Sequence, residues 1–172
     1  LFDKNFSYID DVIKNKCTCI KCDLSDSEEV KKSINKVVTQ FGGIDILISN
    51  SGSAFQGQMQ DLDEKVLRDS MSNNFYSHHY IIQETVKVMI KQSFGGSISI
   101  NLSKQSINPG NNFGPYGIAK ASSLFMMKQY ALECGKFNIR VNGINADRIQ
   151  SGLLTKKIIN QRAKARGIKE SE

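Results

Sequence analysis

Ser97-Ile98-Ser99-Ile100-Asn101-Leu102-Ser103, followed by a loop bearing Asn, Gly and Pro and then by Tyr116-Gly117-Ile118-Ala119-Lys120, is the stretch that decides the fold. Its first part alternates apolar and polar residues, which is the period of a β-strand. Asn108 to Asn112 is rich in turn residues. A helix is then expected from Phe113 to Cys134, with Pro115 tolerated in its first turn and Gly135 ending it. Tyr116 and Lys120 are four apart, so on that helix their side chains share one face. A phenol with a pKa of about 10 is a poor acid or base near neutrality. A fixed ammonium beside it favours the phenolate and lowers that value. Surface helices carry such Tyr–Lys pairs without any chemistry, so the pair leaves both readings open. Ser103, at the end of the strand, supplies a third group.

The same alternation of strand and helix extends outward from this stretch. Cys17–Cys22 reads as a short strand ending at Asp23. Ser25 is expected to open a helix, with Glu28 completing a capping box. Val30, Ile34, Val37, Val38 and Phe41 form its apolar stripe, and Gly42-Gly43 stops it. Ile44 to Ile48 is almost continuously apolar, as a parallel strand buried on both faces is. Ser49-Asn50-Ser51-Gly52 follows as a turn. Residues 61–91 read as a long helical region bent near Ser72-Asn73-Asn74 and closed by Gly95-Gly96. Ile139 to Ile144 is a further strand, and Leu153 to Arg166 a last, basic helix. Residues 1–16 show no clear pattern. The expectation is one α/β domain over 1–172 with a doubly wound parallel sheet. Such sheets bind ligands beyond the carboxyl ends of their strands, where Asp23, Asn50, Ser103 and Asn145 fall.

Composition narrows the function. The chain has 172 residues, 40% hydrophobic and 23% charged, with a net charge of +6. Its basic residues are scattered until Lys156 to Lys169 and lack interleaved aromatics, which argues against nucleic-acid binding. An apolar run long enough to span a membrane is missing. Cys17 and Cys19 face one side of their strand and Cys22 the other, while Cys134 lies far along a helix. No tetrahedral metal site is expected from them. Free thiols and a reducing, cytoplasmic setting are. His78 and His79 are adjacent and point about 100° apart on a helix, so they are read as packing or surface positions rather than as a chelating pair.

Ser103, Tyr116 and Lys120, placed in this way on a strand end and a helix, resemble the short-chain dehydrogenase/reductase family, and the resemblance extends from Asp23 to about Ile168. It implies a Rossmann-like fold, NAD or NADP as cofactor, and the interconversion of a small alcohol and its carbonyl compound, with sugar- and aldehyde-derived substrates among the candidates. Tyr116 would be the acid/base. Lys120 would lower its pKa and bind the nicotinamide ribose, and Ser103 would hold the substrate oxygen. Asn74 matches the family's helix-breaking asparagine, whose carbonyl, freed by the bend, is expected to hold a water linking Lys120 to solvent. Ser77 three residues on favours Asn74 over Asn73. Asn50, Ser51 and Gly52 resemble the end of the family's Asn-Asn-Ala-Gly turn beneath the cofactor, with Ser49 in place of the first Asn. Asp23 is similar to the aspartate that meets the adenine amino group, a helix-entry Asx turn being the other reading. Ile149 and Ser151 match the positions that meet the nicotinamide carboxamide and the phosphates, although Ala146-Asp147 replaces a Pro-Gly pair there. The stretches 103–110, 145–154 and 162–167 are similar to the dehydrogenase half of bifunctional aldolase/short-chain dehydrogenases.

The family's first strand and its Thr-Gly-x-x-x-Gly-x-Gly turn are not found in this sequence, nor are its closing helix and strand. The sheet is therefore expected to be incomplete at both ends, the chain being a piece of a subunit of ordinary size. The second strand, whose end separates NAD from NADP, is expected to be absent too. Helices 61–91 and 113–134 carry Val86, Val88, Met89, Ile90, Leu124, Phe125, Met126 and Met127. By resemblance they are expected to pair into a homodimer or homotetramer. The alternative on the same fold is a non-catalytic dinucleotide-binding or scaffold protein.

Overall fold

The computed structural model describes residues 1–7 and 9–147 and, beyond them, Lys156, Ile159, Asn160 and Ala163. The predicted last helix, 153–166, and the candidate site residues Ile149 and Ser151 thus lie largely or wholly outside the described residues.

In chain order the elements are β1 (Phe2–Asp3), α1 (Asp11–Lys14), β2 (Ile20–Lys21), α2 (Ser27–Phe41), β3 (Ile46–Ser49), α3 (Glu64–Met71), a π-helical turn (Ser72–Tyr76), α4 (Ser77–Gln92), β4 (Gly96–Asn101), α5 (Gly114–Cys134) and β5 (Ile139–Ile144). Among the described residues, β1 pairs with β2 in one parallel sheet, and β3, β4 and β5 form another in that order. Strand, helix and parallel strand thus alternate, and the α/β reading holds.

The helices start and stop for local reasons. Asp26, not Ser25, caps α2, its Oδ1 accepting the amide protons of Glu28 and Glu29. Ser25 is diverted into an Asx turn on Asp23. Glu29, not Glu28, reaches back, accepting the Asp23 amide proton at 2.8 Å. Gly42 ends the helix at φ +85°, a left-handed conformation that glycine adopts without Cβ strain. Val30 and Ile34 are buried as the stripe predicts, but Phe41 is exposed.

The core lies between β4–β5 and the helices α2, α4 and α5. Ile98, Ile100, Ile139 and Val141 point into it with Cys22, Ile82, Met89 and Met126. β4 is central, and two of its residues are wholly buried, which suits a strand covered on both sides. β3 departs from expectation. Ile46 and Ile48 are 68% and 74% exposed, so the strand read as buried on both faces presents one of them to solvent among the described residues. Val86, Met89 and Met126, expected to serve an interface, are buried in the core, and Val88, Ile90, Leu124 and Met127 pack partly against it. No described helix is long and apolar enough to cross a membrane.

Candidate active site

The carboxyl ends of β3 and β4 meet the first turns of α5, and Asn50, Gly52, Asn74, Tyr116 and Lys120 lie around that junction, with Ser103 on the turn packed against α5. Lys120 is buried at that junction. Its Nζ donates to the Asn101 carbonyl at the end of β4, at 2.8 Å, and lies 3.3 Å from His78 Nε2 on α4. Nζ also sits 5.9 Å from the centre of the Tyr116 ring. The i, i+4 pairing read from the sequence is therefore formed, with the ammonium inside and the half-buried phenol nearer the surface. Burial pushes the Lys120 amine down to about 8, because an ammonium loses solvation there.

Ser103 follows β4 and accepts the Gln105 amide proton at 3.2 Å, starting a short turn over Lys104–Ser106. That turn packs closely on α5: a Cβ at Gly117 would lie 3.3 Å from the Gln105 carbonyl oxygen. The absence of a side chain at 117 thus lets the turn carrying Ser103 approach the helix that carries Tyr116. Phe113 stacks edge-on against Tyr116, with ring centres 6.4 Å apart.

The π-helical turn supplies Asn74. Ser77 donates its amide proton to the Ser72 carbonyl, five residues back, so the turn is wider than an α-helical one. Hydroxyls reach two of the carbonyls in it. Ser77 Oγ donates to the Asn73 carbonyl and Ser123 Oγ to the Asn74 carbonyl, each at 2.7 Å. The Asn74 carbonyl thus accepts from Ser123 and keeps a second lone pair, while Lys120 contacts Asn101 and His78. The Asn74 side chain is wholly buried and turns toward the 50–53 loop, bonding both backbone groups of Ser53.

Asn50 and Gly52 lie over this junction. Asn101 Nδ2 donates to Asn50 Oδ1 at 2.6 Å, tying the loop to the strand whose carbonyl holds Lys120. Gly52 has φ +154°, and a Cβ there would stand 2.7 Å from Asn74 Oδ1 and 3.6 Å from Lys120 Nζ. Ser51, between them, is half-buried in the same loop. Asp23 adopts the Asx turn: its Oδ1 accepts from the Ser25 amide and hydroxyl, and its other oxygen pairs with Lys4 at 2.8 Å. Burial tends to raise its carboxyl, but the bonds from Lys4 and Ser25 hold it below its ordinary value.

Two features escaped the sequence reading. Asp3 ends β1, a two-residue strand parallel to and beside β2, in a stretch where no pattern is read from the sequence. Two residues are too few to show a period. The second is His78, which is not a bland packing residue. It is fully buried, with Nδ1 2.6 Å from Ser49 Oγ and Nε2 facing Lys120. Burial first, and then the charge of Lys120, lower its pKa to about 3, against a backbone hydrogen bond with Ser51. It is a neutral imidazole at ordinary pH. All four cysteines are free, and among the described residues no cluster of side chains suits a metal ion.

Comparison with known proteins gives the family and the fold. A family model described as enoyl-(acyl carrier protein) reductase covers residues 3–171. Dehydrogenase/reductase SDR family member 4 of Bos taurus is 34% identical over 122 residues, which are 70% of this chain and 43% of that protein. The NADH-dependent L-xylulose reductase of Ambrosiozyma monospora is 31% identical over 143 residues, 81% of this chain and 52% of that one. The chain thus spans about half the length of these relatives. Among solved structures, sorbitol-6-phosphate 2-dehydrogenase from Erwinia amylovora superposes with a TM-score of 0.89 at 21% identity, over 99% of this chain and 70% of that one, which shows the shared fold. Carveol dehydrogenase from Mycobacterium avium, solved in complex with NAD, gives 0.81 at 22% identity over 88% and 56%. With a site of this build and a match along nearly its whole length, the chain belongs to the short-chain dehydrogenase/reductase family.

Proposed function

We propose that the protein is an NAD-dependent oxidoreductase that interconverts a small alcohol and its carbonyl compound, with Tyr116 as the acid/base. The observation that carries this reading is the buried Lys120 ammonium, one helical turn from Tyr116 and anchored by the Asn101 carbonyl. Burying a lysine costs stability unless its charge is hydrogen-bonded, and here the Asn101 carbonyl holds the ammonium where its charge bears on a phenol.

The residues present fit a nicotinamide cofactor. A Cβ at Gly52 would touch Nζ at 3.6 Å and clash with Asn74 Oδ1 at 2.7 Å, so the bare glycine leaves the space beside the ammonium open. An ammonium has three donors, and two protein acceptors are seen among the described residues, so one donor remains for a ribose hydroxyl. Asn50, Ser51 and Gly52 would pass beneath the cofactor. Ile149 and Ser151 would meet its nicotinamide and phosphate ends. Asp3, at the end of β1, favours NAD: a carboxylate there accepts from a ribose hydroxyl and repels a 2′-phosphate. Lys4, the neighbouring cation, is paired with Asp23. An adenine amino group reaching Asp23 would compete with that pair.

When bound, the cofactor supplies or accepts the hydride. In reduction, the Tyr116 phenol gives its proton to the substrate oxygen while Ser103 Oγ holds that oxygen. Lys120 stabilises the phenolate that remains. In oxidation, the phenolate takes the proton back. The positioning of these groups is the protein's contribution to the barrier. The test is nicotinamide absorbance on mixing the protein with NADH and a panel of aldehydes and ketoses. Turnover that disappears in Tyr116→Phe supports the reading. Cofactor binding with no turnover on any member would favour the non-catalytic alternative.

The protein is also proposed to self-associate. Ile118, Phe125 and Leu132 recur every seventh residue along α5 and are exposed, Phe125 at 70% and Leu132 at 79%. Such a stripe on an otherwise packed helix suits a second copy in a homodimer or homotetramer.

A further inference from the structure

We propose that His78 is a positioning residue for Lys120: Ser49 holds its ring in the Nδ1–H form, and the Nε2 lone pair fixes the ammonium beneath Tyr116. The significance of the contact for catalysis rests on the role proposed for Lys120 above.

The argument is one of donors and acceptors. A lysine ammonium donates and never accepts. Nε2, 3.3 Å from Nζ, must therefore carry a lone pair toward it. The ring is neutral, so its single proton sits on Nδ1, which donates to Ser49 Oγ at 2.6 Å. Ser49 is buried at the end of β3, so three elements, β3, α4 and α5, meet at this one ring. The titratable groups facing the pair are each other and Tyr116. Burial alone moves Lys120, with no carboxylate acting on it among the described residues. Asn101 and His78 then hold Nζ from two directions. With one acceptor only, the ammonium could swing about its stem, and its charge would cease to be fixed relative to the phenol. The proton on Nδ1 makes Ser49 part of the device: without that acceptor only the backbone bond with Ser51 remains to hold the ring, and the Nε2–H form, which opposes Lys120, gains weight.

The test is NMR on the protein without substrate, so that it does not depend on turnover. The imidazole ¹⁵N shifts of His78 should show a protonated Nδ1 and an unprotonated Nε2 through the neutral range. The ¹³Cε resonance of Lys120, assigned by its loss in Lys120→Met, should titrate near 8. His78→Leu should lower that midpoint by about one unit, since a hydrogen bond to a charged group is lost. His78→Gln, whose amide offers both an acceptor and a donor, should restore it. Ser49→Ala should lower it less and mix the two ring forms. A protonated Nε2, or an unmoved midpoint in folded His78→Leu or Ser49→Ala, overturns the proposal. If His78→Leu does not fold, the ring pattern and Ser49→Ala decide. Retained shifts in a protein with no detectable oxidoreductase activity would keep the contact and discard the catalytic reading instead.

Discussion

Asn74 grips Ser53 by both of its backbone groups: Oδ1 accepts the Ser53 amide proton at 3.0 Å, and Nδ2 donates to the Ser53 carbonyl at 2.9 Å. The side chain thus behaves as a short piece of sheet edge and holds the 50–53 loop over Lys120. Asn74→Ala removes both bonds and leaves buried groups to find other partners. It should destabilise the protein by about 2–4 kcal/mol in a denaturant titration. Asn74→Asp should be worse, because an oxygen then faces the Ser53 and Ser70 carbonyls that Nδ2 now serves. An Asp variant as stable as the native protein would sink this account.

Tyr116→Phe keeps the ring and its packing against Phe113 but removes the hydroxyl. Turnover should fall by roughly 10²–10⁴-fold, or further if the site acts as a unit. Cofactor affinity, read by fluorescence titration, should change little. Near-normal turnover would refute the assignment.

Gly52→Ala places a Cβ 2.7 Å from Asn74 Oδ1 on a backbone at φ +154°. The expected loss is about 1–3 kcal/mol of stability, with weakened NAD binding by calorimetry. Unchanged binding would mean that the loop does not lie beneath the cofactor.

Stability should depend on pH through His78. Its folded pKa, about 3, lies below its ordinary 6.5. Between those values the unfolded chain binds a proton that the folded one refuses, so stability falls as pH drops through that window. The slope is at most about 1.4 kcal/mol per unit. His78→Gln should flatten this limb, as read by urea midpoints at a series of pH values. An equally steep limb in that variant would place the acid sensitivity elsewhere.

Phe125→Asp should shift sedimentation toward a smaller species if the exposed stripe on α5 is an interface. A single, unchanged mass in both proteins would remove the stripe from consideration.

The parts of the molecule written in local pattern were legible in the sequence. The span of α5 follows from its length and from Pro115, and that of β5 from its apolar alternation. The bend at Asn74 was marked by an Asn pair in a helix. Contacts made across the fold were not legible. Ser49 and His78 meet only because β3 lies against α4, and neither residue's neighbours in the chain hint at it. The exposure of Ile46 and Ile48 was missed because an apolar run shows what a strand can bury, not what comes to cover it.

The π-helical turn at Ser72–Tyr76 has a consequence for how this chain tolerates change. It is one residue of slack in the winding between α3 and α4. Deleting one residue within it would take up that slack: a continuous α-helix could form with α3 and α4 still in phase, and the loss would be the wide turn from which Asn74 reaches Ser53. Deleting one residue from the regular helix just beyond it has no slack to draw on. Everything after the deletion would rotate by about 100°, and Ile82 and Met89 would leave the core. The tolerance of this helical stretch to a change in length is thus concentrated in these five residues.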